Sequence, residues 1–266
     1  MKIFKVKSNL TILQKICLAG LFIAMVTILQ KVIAINYVPG LPFVRLSFGA
    51  PALIIFSSVL LGPWFGALIG AASDILGYFI FDMSGSAMFP QITAIYALLG
   101  FSAYFVFQFV RSIYSKKLII VIEGVCFALF YAFVAYYLFA VAEIDLWVKI
   151  VALALLLVLF TGLIVFISLY NKKVKFELGF NVFQISLCCF LLESIVLLAF
   201  GSLMKALAFG FDILPLIVTC QMIVTFFNVV LDTISLSLLL KVGKKYIRYE
   251  SDVKWGSLWL KTVNHV

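Results

Sequence analysis

From residue 9 to residue 240 the chain is a succession of apolar runs separated by short polar joints. A helix needs about 20 apolar residues to cross the hydrocarbon of a bilayer. The runs at 9–35, 46–61, 64–81, 91–110, 118–140, 146–170, 179–203 and 213–240 are read as spans on that ground. The second and third are short and meet at Gly62-Pro63. Joined, they are too long for one crossing, so the Gly-Pro pair is read as a turn at the membrane face. Hydrophobic residues make up 65% of the chain and charged residues 12%, against roughly half and about a quarter in a globular domain. The expected fold is an all-α integral membrane protein, a helical bundle of about eight spans. The competing count is six, with 118–140 and 146–170 lying differently. Residues 1–245 form one transmembrane domain in this reading, and the polar stretch 246–266 is a tail.

Charge placement orients the bundle, because basic residues collect on the cytoplasmic side. With the N-terminus inside, 16 of the 20 lysines and arginines fall on inner segments. The outer side keeps Lys31, Arg45, Lys149 and Lys205. An even number of spans with both termini cytoplasmic follows. The net charge of +9 is then an orientation signal. Its scatter over several inner loops argues against nucleic acid as a partner. The first apolar run is too long for a signal peptide and no small-residue cleavage site follows it.

Several chemistries are excluded by count. His265 is the only histidine, which removes a histidine-rich metal site and an HExxH protease. No GxxxxGK[ST] loop is present, so the chain has no P-loop of its own. Cys17, Cys126, Cys188, Cys189 and Cys220 all lie in spans without a CxxC pair. They read as small apolar residues. No second copy of the 43–81 pattern signals an inverted repeat. Neither a cofactor nor an enzymatic motif is called for.

What remains is a set of polar residues at the outer ends of early spans. Arg45 follows the turn-rich segment "NYVPGLPF". It is either an interface anchor or a two-pronged clamp for a carboxylate. Lys31, at the end of the first span, is open to the same two readings. In the third span Gly66 and Gly70 stand in GxxxG spacing, which serves close helix packing. Asp74 is one turn further on the same face. An ionisable group inside a span is either part of a binding site or a hydrogen bond to a neighbouring helix. Past the outer loop, Phe89-Pro90 opens the fourth span, with Gln91, Thr93 and Tyr96 in its first turns. Aromatic, amide and hydroxyl groups at a helix mouth suit a flat heteroaromatic ligand. Phe48 and Tyr78 complete the candidate set.

These residues carry a resemblance. "VRLSFG" (44–49), "LGPWFGALIGAASDILGYFIF" (61–81) and "FPQITAIYALLG" (89–100) resemble the substrate-binding S components of energy-coupling factor (ECF) vitamin transporters, most of all the folate family. The stretch 215–245 resembles the family's last helix more loosely. S components typically have six spans, so 118–170 reads as an inserted pair. The resemblance implies a multi-pass protein of the bacterial plasma membrane that binds its vitamin near the outer surface. Its partners would be a transmembrane T component and two cytoplasmic ATPase subunits. It implies that Arg45, with Lys31, holds the glutamate tail of a folate-like ligand, and that Phe89, Gln91 and Tyr96 meet its ring. It also implies docking to the T component through a small-xxx-small motif on the first span. Gly20 and Ala24 have that spacing, although internal packing explains them equally.

Two rival classes stand beside it. A membrane enzyme acting on lipids would use acids in the late spans, where Glu123, Glu193, Asn228 and Asp232 occur. Asn228 and Asp232 share a helix face, but no tight carboxylate cluster for a cation is visible in the linear sequence. An autonomous secondary transporter would show broken helices in both halves, and only the Gly62-Pro63 break is seen.

Overall fold

The computed structural model describes residues 6–8, 10–33, 49–81, 89–113, 116–140, 146–173, 182–243 and 247–249. Nearly all of these are helical. Helix α1 (Ile12–Ile28) begins with a reciprocal cap. The Thr11 hydroxyl accepts from the Gln14 amide at 3.4 Å and the Gln14 side chain accepts from the Thr11 amide at 2.9 Å, so two of the first-turn donors are satisfied. The helix widens into a π turn at Leu29–Ile33.

Helix α2 (Ala50–Leu61) is a different kind of element. Every one of its 12 residues is buried. Pro51 sits in its first turn, where the missing N–H costs nothing. At 1.5 Å per residue it is roughly 18 Å long, well short of the ~30 Å hydrocarbon. Gly49 enters it with φ 76°, and Gly62 leaves it with φ 106°. Both angles lie where a side chain is strained. The expected turn at Gly62-Pro63 is therefore present, and Pro63 opens α3 (Pro63–Phe81).

Helices α3 and α4 (Pro90–Arg111) cross in backbone contact. A methyl built at Gly70 would run into the Tyr96 carbonyl, and one at Gly100 into the Gly66 carbonyl. Small residues permit this approach, on which helix association in lipid depends. The packing reading of Gly66 and Gly70 is thus the one the structure bears out.

Helices α5 (Lys116–Ala140) and α6 (Leu146–Lys173) are the two expected between 118 and 170. They join the bundle through phenylalanines. Phe160 lies edge-on to Phe226 at 4.4 Å, and Phe127 edge-on to Phe190 at 4.6 Å. Edge-to-face pairs at such separations add to the packing energy. This aromatic core is separate from the one shared by α1 to α4, α7 and α9. Helix α7 (Val182–Leu192) continues through a π-helical segment, Glu193–Phe200, into α8 (Gly201–Phe209). After a short 3-10 turn, α9 (Leu214–Gly243) closes the bundle.

Among the described residues, seven helices are long and apolar enough to cross a membrane, and α2 is a shorter apolar helix beside them. Large apolar side chains such as Trp64, Leu129 and Trp147 face outward, as lipid requires. The fold is that of an all-α membrane protein with one addition. Strand β1 (Val6–Ser8) pairs antiparallel with β2 (Ile247–Tyr249), with Val6 opposite Tyr249.

Candidate functional site

The expected site residues divide into three groups. Arg45 and Phe48 lie outside the described residues. Lys31, Asp74 and Thr93 are brought into one neighbourhood by α1, α3 and α4. Thr27 donates from its hydroxyl to the Ser73 carbonyl at 3.2 Å, which fixes α1 against α3. One turn on, Lys31 lays its stem across Gly77, where an added methyl would fall 2.8 Å from Lys31 Cε. Lys31 is half-buried, held along α3. Asp74 is 8% exposed. The Thr93 hydroxyl donates to its Oδ2 at 2.6 Å, so this carboxylate ties α3 to α4. The hydrogen bond foreseen as one alternative for Asp74 is therefore made, with Thr93 as the donor.

The third group belongs to the same two helices and the residue that precedes α4. Phe89 is the extended residue before α4. Gln91 is half-buried in the first turn, and its Oε1 has no hydrogen-bond partner. Tyr96 is half-buried and packs against the α1–α4 core. Tyr78 sets its ring edge-on to Phe79 at 5.5 Å. On α1, Gly20 and Ala24 are both exposed, and a methyl at Gly20 would meet nothing within 4 Å. Among the described residues, nothing packs on Gly20.

The structure also assembles a polar site that the linear sequence conceals. Gln221, Thr225, Asn228 and Asp232 recur at spacings of four, three and four on α9, which places them on one face. All four are buried. Opposite them stand Glu193, at the first position of the π segment, and Lys205 of α8. Lys205 Nζ donates to Gln221 Oε1 at 2.7 Å. Deeper along the stripe, the Glu193 carboxyl faces those of Asp232 and the amide of Asn228. The first-turn amide of Ala52 in α2 faces Asp232. Gly49 packs on α9 one turn past Asp232, where an added methyl would lie 2.7 Å from Ser235 Oγ.

Glu193, Asn228 and Asp232 are 1%, 3% and 0% exposed. Neither oxygen of either carboxylate has a hydrogen-bond partner, nor does Asn228 Oδ1. The nearby hydroxyls are turned elsewhere: Thr225 donates to the Gln221 carbonyl at 2.9 Å and Thr233 to the Val229 carbonyl at 2.6 Å. Acceptors thus outnumber the donors that face them, which is costly in a dry interior.

Two further polar features lie outside this stripe. Glu123 of α5 is buried against Ser186 of α7. Gln184 donates to the Ile113 carbonyl at 3.1 Å, past the C-terminal end of α4. Between α5 and the α7–α8 rod lies a cavity of 620 Å³ lined chiefly by Phe130, Phe133, Phe190 and Leu198. Its walls are apolar. Among the described residues no group of three histidine, cysteine or acidic side chains is placed to hold a metal ion. No family model, no curated protein and no solved structure matches the chain.

Proposed function

We propose that the chain is the substrate-binding membrane subunit of an ECF-type vitamin importer, taking folate or a related carboxylated heterocycle. One observation carries this reading. The stretches 61–81 and 89–100, which resemble the S-component family, meet as α3 and α4 in backbone contact, joined by Asp74 and Thr93, with Lys31 alongside. The outward-facing Gly20 and Ala24 offer the small-residue surface that a T component needs for close approach.

The crossing number proposed from charge finds support in the β ribbon. A ribbon between residues 6–8 and 247–249 pairs the segment before α1 with the segment after α9, which supports an even number of crossings. Seven crossings would part them. In this reading α2 belongs to the eighth passage, and the basic residues support cytoplasmic ends.

A second reading has an observation of its own. A short buried helix whose N-terminus meets a mid-bundle acidic pair is a device of secondary carriers. The two readings separate in one experiment. Uptake of radiolabelled folic acid is measured in cells expressing the chain alone or together with a T component and its ATPases. Uptake only with the partners supports the S-component reading, and equal uptake by the chain alone overturns it.

A further inference from the structure

We infer that Glu193, Asp232 and Asn228 form a subsite for a donor-bearing edge of the ligand, an adjacent ring N–H and amino group of the kind an aminopyrimidine or a guanidine presents. The inference rests on the reading of the chain as a binder of a small heterocycle, and it names the part of the ligand read at depth.

The argument begins with acceptors. Five oxygens, two on Glu193, two on Asp232 and one on Asn228, converge from the π segment and α9 without a hydrogen bond, and two donors face them, the Ala52 amide toward Asp232 and the Asn228 side-chain amide toward Glu193. One proton shared between the two carboxyls satisfies a single contact and leaves the rest unmatched. The neighbouring threonine hydroxyls already donate to carbonyls of their own helix. Two donors facing five acceptor oxygens leave acceptor capacity for an occupant that brings donors of its own. A planar N–H/NH₂ pair offers two parallel donors that one carboxylate accepts together, with the second carboxylate and the amide oxygen left for outward-pointing hydrogens.

The surroundings fit such an occupant better than a metal ion. The Ala52 amide already presents an N–H to Asp232, and it lies in the first turn of α2, whose positive end favours negative charge. A π segment starting at a buried acid is a deviation from regular helix that recurs at functional sites. The polar face Gln221–Thr225–Asn228–Asp232 runs along α9 from the Lys205–Gln221 pair to the acids. A ring edge at the acids and an anionic end near cations is the polarity expected of a carboxylated heterocycle.

The test uses the purified full-length chain in detergent with three probes: folic acid, pterin (the ring without the tail) and p-aminobenzoyl-glutamate (the tail without the ring). Glu193→Gln and Asp232→Asn are near-isosteric, and their ligand-free melting temperatures are measured beside the wild type. Each is expected to weaken pterin and folic acid about 10- to 100-fold, as loss of a charged hydrogen bond implies. Binding of p-aminobenzoyl-glutamate should not change. Equal loss for all three probes overturns the inference in favour of a structural acid pair. Unchanged folic acid affinity in both variants overturns it while leaving the importer reading intact. Sodium-specific stabilisation of the ligand-free protein that Asp232→Asn abolishes overturns it in favour of a cation site. Binding of pterin or 2,4-diaminopyrimidine that depends on Glu193, with no binding of folic acid, upholds it and removes folate from the proposed function. Failure of every ring probe to bind the wild type overturns it.

Discussion

Replacing Gly100 by alanine adds one methyl group at the tightest point of the bundle. That methyl would enter the Gly66 carbonyl group and come within 2.8 Å of the Ala67 nitrogen. Both are backbone atoms, so no rotamer change relieves the clash. The axes of α3 and α4 must part by about 1 Å, and the contacts of both helices loosen together. Overpacking of a well-filled interior costs about 1–3 kcal/mol, and a clash with backbone belongs at the upper end of that range. Gly124→Ala and Gly162→Ala are the controls, because a methyl at either meets nothing within 4 Å. Alanine is about 1 kcal/mol better than glycine inside a helix, so both controls should be neutral or slightly stabilising. Thermal unfolding can be followed with a thiol-reactive dye, since Cys188 and Cys189 are free and buried and react once the bundle opens. Gly100→Ala should melt well below the wild type, with the controls at or above it. If Gly100→Ala melts together with Gly124→Ala, the close α3–α4 crossing is wrong.

Thr93→Val removes the donor to Asp74 and should cost about 1.5–3 kcal/mol in the same assay; Asp74→Leu should lower affinity for folic acid more than Asp74→Asn, and wild-type affinity together with wild-type melting in Asp74→Leu would remove Asp74 both as a ligand contact and as a needed structural bond. Phe160→Ala should loosen α5 and α6 by about 2 kcal/mol, since lipid replaces water and packing dominates the loss. Hydrogen exchange should then speed up in α5 and α6 while α1 to α4 keep their protection, and uniform acceleration would contradict two separate cores. Gly20→Leu and Ala24→Leu should leave ligand binding and melting unchanged but abolish ATPase-dependent uptake; normal uptake would move the docking face elsewhere. Arg45→Ala should weaken folic acid by about 2–5 kcal/mol in calorimetry if it makes a desolvated ion pair, with partial rescue by Arg45→Lys, and undiminished affinity would remove Arg45 from the site.

The helices were legible because bilayer thickness imposes run length, a local property of sequence. Runs expected at 64–81, 91–110 and 118–140 appear as Pro63–Phe81, Pro90–Arg111 and Lys116–Ala140. The run at 46–61 yielded only Ala50–Leu61, because apolar composition does not distinguish a crossing helix from a short one buried on all sides. Gly66, Gly70 and Asp74 could be placed on a common face by helical period alone. The Thr93 partner could not, since it depends on how α3 and α4 cross. The acid cluster was half visible. Asn228 and Asp232 showed their shared face, and the same period extended back to Thr225 and Gln221 would have marked a buried polar stripe. Glu193 belongs to another helix, and a π segment shifts its register away from the regular 3.6-residue period.

The pairing of residues 6–8 with 247–249 also has a bearing on biosynthesis. The first strand leaves the ribosome roughly 240 residues before its partner, which at ~5–20 residues per second is an interval of roughly 12–50 s. Throughout that time the early strand is an open edge next to the insertion machinery, and such edges recruit other chains. The ribbon closes only after α9 has been synthesised, so its formation marks a chain made through residue 249. A chain stalled or truncated before residue 247 keeps its edge unpaired, which gives a quality-control protease a handle absent from the finished protein.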